Sequence, residues 1–71
     1  MKKGKSKDGI NFEIITEKVD DKYRTFVKFI YGERLVVPKI LEEWSKNKKE
    51  VKGWEDYFKK KLSNEKVLEK Y

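Results

Sequence analysis

The chain has 71 residues, enough for one small domain, and it contains neither cysteine nor histidine. A domain of this size buries only about 60% of the surface its unfolded chain exposes, which leaves little room for an enclosed active site. Nineteen Lys and Arg against thirteen Asp and Glu give a net charge of +6, which suits phosphate-rich partners, and the missing Cys and His exclude disulfide frameworks, N/S metal sites and the usual nucleophile–base pairs.

Residues 1–9 carry Lys2, Lys3, Lys5 and Lys7 with Gly4 and Gly9 and nothing apolar after Met1. This composition predicts a flexible basic tail ahead of a single small α+β domain over residues 10–71. Ile10 to Val19 and Lys22 to Tyr31 are rich in β-branched and aromatic residues and read as two strands joined by an Asp20-Asp21 turn. That register sets Glu17 opposite Arg24 and Glu13 opposite Lys28, two opposite-charge rungs, with Ile15 facing Phe26 between them. The alternate face collects Ile10, Phe12 and Ile14 with Val27, Phe29 and Tyr31, and is the expected core. Gly32-Glu33 makes a second two-residue turn, so Arg34 to Val37 returns as a short third strand with Leu35 and Val37 beside Phe26 and Ile30. The expected sheet is a three-stranded antiparallel meander.

Pro38 lacks the N–H a central strand needs and suits a first helical turn, so it predicts the end of the sheet and the start of a helix bearing Ile40, Leu41 and Trp44. Asn47 followed by Glu50 resembles a capping box and opens a helix from Lys48 to about Leu62. Its stripe of Val51, Trp54, Phe58 and Leu62, with Tyr57 alongside, is the lid for the core face. One helix or two after Pro38 both satisfy the pattern. Past the cap-like Ser63-Asn64, the residues Val67, Leu68 and Tyr71 form a last turn.

Catalytic chemistry is poorly supplied: carboxylates, Lys, Tyr and three Ser remain. Glu50-Val51-Lys52 spells the E-x-K of some carboxylate–lysine nucleases, but it lies on a helical pattern with no acidic partner on a preceding strand. The glycines form neither a phosphate loop nor a dinucleotide fingerprint, so no catalytic residue, metal or cofactor is expected. Three binding signals stand out. The tail offers Lys2, Lys3, Lys5 and Lys7 to phosphates. The second helix places Lys48, Lys52 and Lys59 on one flank. The outer sheet face sets Ile15, Phe26, Ile30, Leu35 and Val37 among Arg24, Lys28, Glu13 and Glu17.

The leading expectation is a basic, non-enzymatic, nucleic-acid-associated protein that binds DNA or RNA mainly through phosphate contacts, using those tail and helix lysines with Arg24 and Lys28. The alternative is a protein-interaction module, such as an accessory subunit of a replication, transcription or defence complex or a small viral inhibitor. Such a module would dock a partner or a second copy on the apolar outer face, unless the C-terminal segment or the first helix with Ile40 and Trp44 covers it. A single nucleic-acid strand stacking on Phe26 beside Arg24 and Lys28 is the remaining occupant. No apolar run reaches the roughly 18 residues of a membrane span and no signal-peptide pattern follows the basic start, so a cytoplasmic location without membrane attachment is expected. A Lys and Glu excess without Ala or Gln fits either a thermophilic source or an AT-rich genome.

Overall fold

The computed structural model describes residues 2–71; Met1, the first residue of the expected tail, lies outside them. Five strands, β1 (Lys2–Lys5), β2 (Asn11–Val19), β3 (Lys22–Tyr31), β4 (Arg34–Val36) and β5 (Glu42–Ser45), precede one helix, α1 (Lys48–Ser63), and a 3-10 turn over Val67–Glu69. The architecture is α+β, an antiparallel sheet with a single C-terminal helix packed on one face.

The β2–β3 hairpin has the register that the charge rungs predict. Glu17 lies opposite Arg24, Ile15 opposite Phe26 and Glu13 opposite Lys28, and the two ion pairs close at 2.9 and 3.0 Å. Asp20 takes the left-handed conformation of the turn, with φ of 57°, which a short polar side chain tolerates. Gly32 does the same at the next turn with φ of 62°, and β4 pairs Leu35 with Ile30.

Residues 2–5 are a strand and not a tail. β1 pairs antiparallel with β2, setting Gly4 opposite Phe12 and Lys3 opposite Glu13. The physical reason lies at Gly4. A Cβ there would stand 2.5 Å from the tip of the buried Phe12 ring, so the bare backbone lies directly on the ring and packs without an apolar side chain. Alternating lysines also suit an edge strand, because their charge discourages further strand pairing. The loop after β1 is tied down as well. Ser6 and Gly9 bond within it, and the Asp8 carboxylate accepts the backbone N–H groups of Val67 at 3.1 Å and Leu68 at 2.9 Å.

Pro38 does not begin a helix. β4 and β5 occupy the same edge of β3, with Val36 opposite Phe29 and Glu42 opposite Phe26. Three steps along β3 thus match six along its partner (29 − 26 = 3; 42 − 36 = 6), and three residues loop out between them. Leu41 closes the bulge by donating to the Pro38 carbonyl at 3.1 Å and accepting from Val27 N–H at 3.3 Å. Proline is as much at home in an edge-strand bulge as at a helix start, since neither position needs its N–H. Leu41 turns into the core while Ile40 is 78% exposed.

α1 begins where the cap signal places it. Glu50 N–H donates to Asn47 Oδ1 at 3.0 Å, and the Glu50 carboxylate accepts Lys46 N–H at 2.8 Å, one residue before the usual capping-box donor. Phe58 and Leu62 join Phe12, Ile14, Val27, Phe29, Leu41 and Val67 in one core cluster, each such burial contributing about 1.5–3 kcal/mol before entropy. The chain end serves this same side: Val67 is fully buried and Tyr71 stacks on Phe29 at 5.4 Å. The C-terminal segment therefore leaves the outer sheet face uncovered.

Candidate functional site

β1 is a free edge of the sheet, and its side chains alternate across that edge. Lys3 and Lys5 stand on the outer face, opposite Glu13 and Asn11. Lys2 stands on the inner face and pairs with Asp56 of α1. On α1, Lys52 precedes Asp56 by one turn and Lys59 follows it by one, so both flank the same carboxylate. The hydrogen bond from Lys2, reinforced by the charges of Lys2, Lys52 and Lys59, holds the Asp56 carboxyl below its usual range. Asp56 in turn raises the Lys2 ammonium. Glu55 is held by the Thr16 hydroxyl at 3.0 Å, and Thr16 meets Thr25 at 3.0 Å, which anchors the helix to β2.

The outcome is a basic edge. Lys2 from β1 and Lys48, Lys52 and Lys59 from α1 come together on the helix side, with Glu55 and Asp56 as the carboxylates among them, while Lys3 and Lys5 stand on the other face of the same edge strand. Lys7 lies just beyond, in the loop whose backbone bonds Glu65 at 3.0 Å. Between this edge and the hairpin runs a groove of about 410 Å³ lined by Lys2, Thr16, Tyr23, Lys48, Val51, Lys52 and Glu55.

Arg24 and Lys28 do not join that edge. Both stand on the opposite, outer face, already neutralised. Arg24 donates to Glu17 at 2.9 Å and to Glu42 at 3.1 Å, and its guanidinium lies 4.2 Å from the Phe26 ring centre. The hydrogen bond from Arg24 holds the Glu42 carboxyl below its usual range. Lys28 is bound to Glu13 at 3.0 Å.

The residues expected at a protein interface do share one surface. Ile15 faces Phe26 and Ile30 faces Leu35 across strand pairs, and Leu35 is 61% exposed. Val37 stands exposed where β4 enters the bulge. Sequence reasoning missed Trp44, which sits opposite Arg24 on β5, is 48% exposed, and donates its indole N–H to Glu42 at 3.0 Å. Assigning Trp44 to a helix hid it. Tyr23 was missed for another reason: its inner-face position follows from the hairpin register, but the groove around it needs β1 and α1 in place.

Among the described residues no group of three carboxylate, His or Cys side chains is placed to hold a metal, and no helix is long and apolar enough to cross a membrane. Glu50 of the E-x-K sequence is engaged in the helix cap. No family model, curated protein or solved structure matches the chain.

Proposed function

We propose that this protein associates with nucleic acid, binding the phosphate backbone of DNA or RNA at the basic edge with little reading of base sequence. The observation that supports this is the meeting of Lys2 with Lys48, Lys52 and Lys59 where β1 passes α1, with Lys3 and Lys5 on the other face of the same edge strand. Two stretches that are far apart in the chain each carry a modest charge excess, and together they line both faces of one sheet edge with cations. Lysines along such an edge displace counterions from phosphates, so binding is weak, general and strongly salt-dependent. Arg24 and Lys28 have no part in it, because they stand on the outer face of the inner strands, bound to Glu17, Glu42 and Glu13.

The test is fluorescence anisotropy with labelled single- and double-stranded DNA and RNA at about 50 mM salt. Lys52→Gln with Lys59→Gln is compared with Arg34→Gln and Lys39→Gln, which removes equal charge from the opposite edge. Losing two phosphate contacts should lower the salt slope for single strands by about 1.4 in the first variant and leave it unchanged in the second. Equal effects in the two variants would reduce the site to net charge, and no binding at this salt would overturn the proposal.

The uncovered outer face supports a second reading. Ile15, Phe26, Ile30 and Leu35 with Trp44 form an apolar strip whose neighbouring charges are internally paired, a surface suited to another protein rather than to phosphates. Lys3 and Lys5 border this strip on the outer face, whereas Lys2 and the helix lysines lie on the inner side.

A further inference from the structure

We infer that the groove beside the basic edge takes one unstacked base of a single strand, with Tyr23 as its stacking platform. This rests on the nucleic-acid reading and narrows it to single-stranded DNA or RNA. The groove is an open depression of about 410 Å³, within the range of small-ligand sites and too small for a duplex. Its walls differ in chemistry. Tyr23 and Val51 supply apolar surface, and Lys2, Lys48 and Lys52 line it from three points. This is the pairing that single-strand binders use, an aromatic face for a base and cations for the backbone.

Glu55 fixes the orientation. It lines the groove and is held there by the Thr16 hydroxyl at 3.0 Å. A phosphate pushed inward would meet this carboxylate and the apolar Val51, whereas a base offers N–H donors that the carboxylate accepts. Lys2 is partly neutralised by Asp56, which leaves Lys48 and Lys52 as the principal phosphate contacts. The base therefore points in and the phosphates run along the helix. Duplex DNA keeps its bases stacked, so it reaches the lysines but not Tyr23.

The experiment uses the full chain with a labelled oligothymidylate of about 12 nucleotides, within the span that one small domain covers, and a duplex of equal length. Tyr23→Leu removes the π face but keeps apolar bulk, and Tyr23→Phe keeps the face. Melting curves of both variants establish that they are folded. Expected are tighter binding of the single strand than of the duplex, a roughly 5- to 160-fold loss of single-strand affinity in Tyr23→Leu, unchanged duplex affinity, and full retention in Tyr23→Phe. Single-strand affinity that ignores Tyr23→Leu overturns the inference while leaving phosphate binding at the edge intact. Failure of the wild-type chain to bind either probe overturns both.

Discussion

Gly4→Ala probes the feature that the basic edge depends on, the seating of β1 on the core. Gly4 is not among the residues with positive φ, so alanine fits the local backbone and narrows the unfolded ensemble, which by itself stabilises by about 0.4–1 kcal/mol. Packing opposes this. The new methyl would stand 2.5 and 2.8 Å from two atoms of the Phe12 ring, and that ring, 1% exposed, packs edge-on against Phe29 at 6.4 Å. Overpacking a closed core costs about 1–3 kcal/mol, so the net expectation is a loss of about 0.5–2 kcal/mol. Urea unfolding measures it, and amide exchange at position 4 and at Ser6, whose N–H donates to the Ile10 carbonyl at 2.8 Å, should rise as β1 lifts. Phe12→Leu should relieve the clash, so the two changes together should cost less than their sum. Gly53→Ala is the control: nothing lies within 4 Å of its Cβ, and on an exposed helix it should stabilise by about 1 kcal/mol. A Gly4→Ala protein as stable as wild type, with unprotected β1 amides, would return residues 2–5 to a mobile tail and dissolve the basic edge.

Asp8 should make the chain end acid-labile. Its carboxyl is lowered from 3.8 to about 2, first by the Ser6 hydroxyl and then by the Leu68 and Val67 N–H groups. A depressed folded pKa means stability that is present above about pH 4 and lost as pH falls toward 2, so amide exchange at Val67 and Leu68 should accelerate over that interval; a flat profile would contradict it. Phe26→Lys should cost less than about 1 kcal/mol in a thermal melt, because no described segment lies over the outer face and a surface change is cheap. A loss of several kcal/mol would mean that this face is covered. Tyr31→Phe should be neutral or stabilising by up to about 1 kcal/mol, since the Tyr31 hydroxyl is buried without a hydrogen-bond partner; a clear destabilisation would reveal a partner for it.

The hairpin was legible because two independent patterns agree on it. Apolar alternation chooses the faces, and the Glu17–Arg24 and Glu13–Lys28 rungs choose the register. The helix was legible from Asn47 and Glu50 at its start and the Val51, Phe58 and Leu62 stripe along it. β1 was not legible, because its contact with the core is made by Gly4, which adds nothing to hydrophobic periodicity. β5 was not legible because Pro38 satisfies an edge bulge as well as a helix start, and only the pairing of Glu42 with Phe26 decides between them. The candidate site inherits both difficulties. Its lysines were visible individually, yet their meeting depends on a strand that composition alone reads as a tail. The neutralisation of Arg24 was half visible through Glu17, while Glu42 could be added only once β5 was known.

Lysine acetylation footprinting with and without a single-stranded oligonucleotide tests the basic edge most directly, because it reads every ammonium group at once without mutation. Protection concentrated at Lys3, Lys48, Lys52 and Lys59, with Lys39 and Lys66 reacting as in the free protein, is the expected result. Uniform protection, or protection that spares β1 and α1, would contradict a phosphate-binding edge.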